Sequence, residues 1–319
     1  MTKIAVAGGT GNVAQEIVDA LVATKKHDIL ILSRKDAPAD ETTDSVKWAK
    51  ADYSDPKQLE QVLQGVHTLL SFVITQSDPA STAQKNLIDA AVRAGVKRFA
   101  PSEWATSSLE NMSWYAYKGE TRRYLAELNK DKKVLEYTLF QPGLFTNYLT
   151  KPYQSSSHLA QMDIPFDFNN RRAIVPENYD QVIVTLTTIQ DLANVVARAV
   201  DFEGEWPLVG GIKGTEITIK QIISLGEKIR GGTPFHINKV KLEDLETGAW
   251  TAPWLPKVDH PSIPPESVTD ELSKFMTGAI LSSVTGGGFT VSDEWNRLLP
   301  DYEFTQAEDF LSKIWHGKP

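Results

Sequence analysis

Gly8-Gly9-Thr10-Gly11-Asn12-Val13-Ala14 stands between an apolar run, Ile4 to Ala7, and an amphipathic stretch that begins at Val13. Strand, glycine loop and helix in that order make an anion site, because the peptide N–H groups of the first helical turn face a phosphate and the helix dipole favours it. Gly8 serves the tight turn. Gly11 lets the backbone approach a pyrophosphate, and Ala14, in place of a third glycine, keeps the helix close to the sheet. Thr10, Asn12 and Val13 belong to the same loop and are assigned to the dinucleotide with it. A glycine-rich turn that binds nothing is the bland alternative, and the motif's place at the first of six alternating units argues against it. The second apolar run ends Leu32-Ser33-Arg34-Lys35. A carboxylate there would take the ribose 2′-hydroxyl of NAD, whereas Ser33 followed by two cations suits the 2′-phosphate of NADP. Asp36 tempers that reading, and a solvated basic turn competes with it. Asp52 could accept from the adenine amino group or cap its own loop. Phe72 and Val73, late in the fourth strand, are also assigned to the cofactor.

A second constellation surrounds Lys118. A lysine at the carboxyl edge of a sheet could hydrogen-bond the nicotinamide ribose and polarise a bound hydroxyl or carbonyl. Partial burial beside Arg122, one helical turn away on the same face, would lower its pKa and free it for acid–base work. The competing reading is a plain helix-surface lysine. Glu103, just past the fifth strand, is either an acid or a surface carboxylate. Trp104, Trp114, Tyr115, Phe145, Tyr148, Tyr153 and Phe166 crowd the segments expected to cover a ligand. They suit a flat pocket for a planar small molecule, or they simply fill a core. The 6 histidines show no metal-ligand spacing, so no metal is expected. Ser102 lacks a nucleophile elbow.

These residues need a scaffold, and the first half supplies one. Apolar runs at Ile4–Ala7, Ile29–Leu32, Val46–Ala49, Leu69–Ile74, Val96–Ala100 and Tyr137–Phe140 alternate with helical patterns at Val13–Thr24, Pro56–Gly65, Thr82–Ala94 and Trp114–Leu128. Ser54 or Asp55 caps the second helix and Gly95 ends the third. All-apolar strands separated by helices predict an α/β fold with a doubly wound parallel sheet. After about Asn147 the alternation breaks. Val182–Leu186 and Ile189–Val200 read as a strand and helix that could return to the sheet. Thr218–Ile229, Leu272–Leu281 and Ala307–Ile314 read as helices, while 234–265 is proline-rich and Gly286-Gly287-Gly288 a loop. A smaller lobe built from discontinuous segments is expected there.

Composition narrows the function classes. The chain has 319 residues, 41% of them hydrophobic, and a net charge of −8, which disfavours nucleic-acid binding. With 0 cysteines there is no disulfide, thiolate metal site or thiol nucleophile. No signal peptide or run of about 18 apolar residues is visible, so a soluble cytoplasmic protein without a membrane partner is expected.

Three segments carry a resemblance: Gly95-Val96-Lys97-Arg98-Phe99-Ala100-Pro101-Ser102-Glu103-Trp104, then Tyr117-Lys118-Gly119-Glu120-Thr121-Arg122, then Gln141-Pro142-Gly143-Leu144-Phe145. With the glycine loop, they resemble the NmrA-like and isoflavone-reductase-like branch of the atypical short-chain dehydrogenases, well over about residues 3–200 and loosely beyond. The resemblance implies an NADP(H)-binding Rossmann domain over 1–150, with 182–212 returning to it, and a substrate lobe of 151–181 and 213–319. It implies that Lys118 is catalytic, that Arg34 and Arg122 contact the cofactor, and that Pro142, Gly143 and Phe145 lie beside it. One departure stands out. Common short-chain dehydrogenases carry a tyrosine acid four positions before the lysine, and here that position is Trp114; on a regular helix Tyr115 and Tyr117 point elsewhere. Three functions remain open: an NADPH-dependent reductase of a small aromatic or unsaturated compound of natural-product type, with Lys118 alone or with Glu103; a non-catalytic NADP(H) sensor; and a non-redox cyclase in which Glu103 matters more.

Overall fold

The computed structural model describes residues 2–36, 45–74, 78, 80–260 and 263–319, so Pro261 lies outside the described residues. Strands β1 (Thr2–Ala7), β2 (His27–Ser33), β3 (Val46–Lys50), β4 (Thr68–Ser71), β5 (Arg98–Ala100) and β6 (Glu136–Tyr137) form a six-stranded sheet in the order β3-β2-β1-β4-β5-β6. Every pairing in it is parallel. The intervening helices are α1 (Asn12–Thr24), α2 (Pro56–Val62), α3 (Thr82–Ala94) and α4 (Ala116–Leu128). The strand order reverses between β1 and β4, and such a switch point opens a crevice at the carboxyl ends of the strands. Ala7 pairs with both Leu32 and Ser71. The residues that follow those three strands, from Gly8, Ser33 and Phe72, therefore emerge at one level.

Local chemistry sets these elements. Asp55 is the cap of α2, its carboxylate accepting from the Lys57 and Gln58 amides. Gly95 closes α3 at φ 76°, the left-handed conformation that favours glycine. Alternation along β1 sends Ala5 and Ala7 into a cluster with Leu32 and Leu69 of neighbouring strands and Leu59, Leu87, Ile88 and Leu125 of the helices. Ile4 and Val6 leave on the opposite face and are also fully buried. A sheet covered on both sides explains why its strands read as unbroken apolar runs.

The remaining elements are β7 (Leu139–Gln141), β8 (Leu144–Phe145), β9 (Phe166–Asp167), β10 (Arg172–Pro176), β11 (Ile183–Thr187), α5 (Ile189–Asp201), β12 (Val209–Gly211), β13 (Thr215–Thr218), α6 (Ile219–Ile229), β14 (His236–Val240), α7 (Leu242–Thr247), α8 (Asp270–Thr285), α9 (Glu294–Leu298) and α10 (Ala307–Trp315). The chain divides into two compact units, residues 1–104, 113–141 and 192–211 in the first, and 105–112, 142–191 and 212–319 in the second. The first holds the six-stranded sheet and the parallel β7–β12 pair. The second holds two three-stranded sheets, β14-β10-β9 and β13-β11-β8. A capping box between Thr218 and Gln221 starts α6.

The structure departs from the expected elements at four places. The fourth strand stops at Ser71, although Phe72 N still donates to Ala7 O at 2.7 Å. The sixth divides at Thr138 into β6 and β7, which join different sheets. The 183–187 strand does not return to the six-stranded sheet, because its edges are taken by β8 and β13. The helix expected from Trp114 begins at Ala116, preceded by a 3-10 turn over Ser113–Tyr115.

Candidate active site

The glycine loop is built as a turn-then-helix. Gly11 N donates to Gly8 O at 3.0 Å. Gly8 has φ +72°, and a Cβ there would lie 3.0 Å from the Phe72 carbonyl carbon and oxygen. Both constraints demand glycine. Gly11 is extended, φ −76°, and precedes α1 without any side-chain cap; the first turn of α1 also carries no acidic residue. The first turn of α1 thus carries no carboxylate of its own, and main-chain N–H groups at such a helix start can meet an anion. Ala14 is fully buried under the sheet, as its role in close packing requires. Two residues not singled out from the sequence complete the loop. A Cβ on Gly9 would meet Ile31 Cγ2 at 2.8 Å, so the loop lies flat on β2. Tyr53 Oη accepts from Gly8 N at 3.2 Å and donates to Leu32 O at 3.3 Å, tying the loop to the end of β2. Burial pushes the Tyr53 phenol up to about 12, against the opposing effects of the Gly8 amide and the Arg34 charge. A lone tyrosine between Asp52 and Ser54 carries no sequence mark of that role.

At the end of β2, Ser33 is buried and its Oγ accepts from Lys35 N at 3.0 Å, while Arg34 and Lys35 are exposed. Asp36 is drawn to Lys50 at 3.0 Å. Asp52 acts as a loop cap: its Oδ1 accepts from Ser54 N at 2.9 Å and from Ser54 Oγ at 2.6 Å, and those bonds lower its pKa. Val73 N faces Ser71 Oγ at 3.4 Å. Phe72 stacks on Trp104 with ring centroids 4.4 Å apart, and Trp104 stacks on Phe140 at 5.3 Å. Trp104, expected on a pocket wall, is instead the middle of a buried three-ring stack, its indole N–H donating to Ser71 O at 2.8 Å.

Lys118 is buried, not a surface lysine. Its Nζ donates to the main-chain oxygen of Glu103 at 2.5 Å and lies 3.7 Å from the centroid of the Tyr115 ring. Burial brings its pKa down to about 8, with Arg122 pushing the same way and Glu103 opposing. Glu103 is only 2% exposed, which removes the surface-carboxylate reading. Arg122 Nε donates to its Oε1 at 2.9 Å and Nη2 to its Oε2 at 2.5 Å, a two-pronged ion pair. The expectation that Tyr115 points away from Lys118 is also corrected. Because Tyr115 ends a 3-10 turn and not a stretch of regular α-helix, its ring folds over the ammonium. Its half-buried phenol is pushed up, chiefly by burial, so it stays neutral. Trp114 stacks obliquely on Tyr115 at 5.5 Å.

The other expected residues belong to the second unit. Pro142 and Gly143 follow β7 directly; Gly143 has φ +75°, and a Cβ there would lie 2.5 Å from Thr185 O. Phe145 is buried and meets Tyr148 edge to face at 5.7 Å. Tyr148 and Phe166 line a cavity of about 210 Å³ whose lining also holds the ion pairs Lys151–Asp163 (2.7 Å) and Arg172–Asp167 (2.8 Å). Tyr153 is not among its walls; it packs edge-on to Trp315 at 5.1 Å. Among the described residues no group of three or more His, Asp or Glu side chains could hold a metal, and no helix is long and apolar enough to cross a membrane.

The sequence profile of the NmrA-like family matches residues 1–253. The chain belongs to the NmrA-like family. Among curated relatives, it is 30% identical over 313 residues to oxidoreductase BOA1 of Botryotinia fuckeliana (strain B05.10), covering 97% of this chain and 100% of that one. Among solved structures, it shares its fold with the NADPH-dependent quinone oxidoreductase QOR2 of Escherichia coli complexed with NADPH (TM-score 0.69, 20% identity, 98% of this chain and 99% of that one). A second is AtPrR2 with NADP+ and (+)pinoresinol (TM-score 0.68, 17% identity, 98% of each chain). The doubly wound α/β architecture expected from the alternating pattern, and the Rossmann-type fold implied by the resemblance, agree with the fold this chain shares with these proteins.

Proposed function

We propose that this NmrA-like protein is an NADP(H)-dependent oxidoreductase that reduces a small, planar, aromatic or unsaturated acceptor, and that Lys118 is its acid–base residue. The observation that carries the reading is the placement of Lys118: a buried ammonium held on the Glu103 main-chain oxygen just past β5, where burial lowers its pKa and brings the neutral amine within reach near neutrality. The residues present fit the nucleotide. The Gly8 turn leaves no room for a Cβ, α1 opens without a side-chain cap, and Arg34 and Lys35 stand exposed where a 2′-phosphate would be read. When bound, the nicotinamide would supply hydride to the acceptor carbon. Lys118 would hold the acceptor oxygen by hydrogen bonding and give up an Nζ proton to it as charge develops. Thr10, Asn12 and Val13 would place main-chain N–H groups on the pyrophosphate, and Phe72 and Val73 would flank the nucleotide. The cavity of the second unit, taken by itself, has Tyr148 and Phe166 walls that suit a planar ring, and the ion pairs Lys151–Asp163 and Arg172–Asp167 add a polar side to its lining.

The name of BOA1 and the bound NADPH and quinone-reducing activity in the name of QOR2 support this class of chemistry. The test is turnover: purified protein with NADPH and a panel of quinones, enones and aryl aldehydes, followed by the loss of reduced-nicotinamide absorbance. Lys118→Ala should abolish the oxidation while leaving the calorimetric affinity for NADPH unchanged. Tight NADPH binding with no turnover across the panel would overturn the reductase reading in favour of a sensor.

A further inference from the structure

Lys118 and Arg122 occupy successive turns of α4, and both reach back to one residue. Glu103 takes the lysine on its main-chain oxygen and the arginine on its carboxylate. For one residue to present both acceptors to the same helix face, the chain must turn sharply there. It does: Trp104 has φ +51°, a left-handed conformation that is an outlier for a bulky side chain. That corner is held from three directions, by the stack between Phe72 and Phe140, by the indole bond to Ser71 O, and by Trp104 N donating to Phe140 O at 3.0 Å. A left-handed tryptophan persists only where the surroundings over-determine it, and such points collect at functional sites.

We propose that Glu103 is the positioning residue of this site, a buried bracket whose carbonyl fixes the Lys118 ammonium and whose carboxylate fixes Arg122, with the Trp104 corner aiming both. This rests on the reading of Lys118 as the acid–base group but reaches beyond it, to what sets that lysine's place and charge. Glu103 itself does not exchange protons with a substrate, since both of its carboxylate oxygens are engaged by Arg122. The charged groups facing Lys118 are Glu103, which favours the ammonium, and Arg122, which opposes it; the phenols of Tyr115 and Tyr117 are pushed up by burial and stay neutral. Removing the Glu103 charge leaves Arg122 uncompensated, so both changes act in one direction on the lysine.

The experiment needs neither nucleotide nor acceptor. Reductive methylation by formaldehyde and cyanoborohydride, run from about pH 6 to 10 and quantified at Lys118 by peptide mass spectrometry, reads the neutral amine. Wild type should inflect at about 8. Glu103→Gln keeps the shape and loses the charge, and its inflection should move to lower pH; a drop of about one pH unit raises labelling at pH 7 about fivefold. Glu103→Asp keeps the charge and should return the inflection toward wild type, a rescue that a merely structural role would not produce. Arg122→Gln should move the inflection the other way, upward. If Glu103→Gln does not fold, Glu103→Gln combined with Arg122→Gln removes the guanidinium left unpaired, and this double variant should inflect below Arg122→Gln alone; equal inflections in those two overturn the bracket. Wild-type inflections in both variants overturn the proposal. Because labelling is measured on the free protein, a chain that reduces no acceptor still yields both inflections, and a failed bracket leaves the turnover test of Lys118→Ala untouched.

Discussion

Two glycines with the same backbone conformation allow the fit of the glycine loop, and its proposed hold on a nucleotide, to be measured. Gly8 and Gly65 both have φ +72°, but a Cβ on Gly65 would meet nothing within 4 Å, whereas one on Gly8 would lie 3.0 Å from main-chain atoms of Phe72. Gly65→Ala therefore measures the conformational cost alone, about 1–2 kcal/mol for an L-residue held in the left-handed region. Gly8→Ala carries the same cost plus a contact with backbone that cannot swing aside, which overpacking data place at about 1–3 kcal/mol more. The loop can relieve that contact only by lifting away from Phe72, and lifting it moves the amides that would meet the pyrophosphate. Urea denaturation of the two variants should thus differ by roughly the contact cost. Calorimetry with NADPH should show near-native affinity for Gly65→Ala and a loss of about tenfold or more for Gly8→Ala, the equivalent of about 1.4 kcal/mol. Equal denaturation midpoints and equal NADPH affinities in the two variants would refute the fit between Phe72 and the glycine loop.

Arg34→Ala should cost NADPH about 10- to 100-fold in affinity, the value of a charge-assisted hydrogen bond, and NADH little; equal losses would contradict the 2′-phosphate assignment. Tyr115→Phe keeps the ring over Lys118 and should leave the lysine's labelling inflection in place, while Tyr115→Leu, losing about 0.5–2 kcal/mol of cation–π attraction, should lower it; identical curves would show that the ring does not act on the ammonium. His27 is 3% exposed and burial, with help from Lys26, lowers its pKa below the ordinary 6.5 although Asp201 opposes. The unfolded chain then takes up a proton near 6.5 that the native imidazole resists, so stability should fall as pH drops below about 6.5 and level off only under the native pKa. In His27→Gln the melting temperature should lose part of that slope between about pH 7.5 and 5.5, and an unchanged slope would show that His27 does not contribute.

The glycine loop and the strand–helix alternation were legible because each depends on neighbours in sequence. A helix cap, a turn glycine and an apolar strand are decided within a few residues, and Asp55, Gly95 and Ile29–Leu32 read the same in isolation as they do in the fold. Boundaries were less legible. Nothing in Ser113-Trp114-Tyr115 tells a 3-10 turn from the first turn of an α-helix, yet that difference decides whether Tyr115 points away from Lys118 or covers it. The two parts of the sixth strand read as one because each alone is too short to carry a pattern.

Short-range residue order was enough to specify a doubly wound sheet, the glycine loop after its first strand and the basic end of its second, since all three follow from local periodicity and from residue types a few positions apart. The state of the chemistry-bearing residues came from long-range packing. Glu103 meets Arg122 across nineteen residues and Trp104 meets Ser71 across thirty-three, so burial, charge pairing and the left-handed corner exist only once distant segments are packed together. A pKa depends on what surrounds a group in space, and for Lys118 those surroundings come from a separate strand end, a 3-10 turn and the next turn of its own helix.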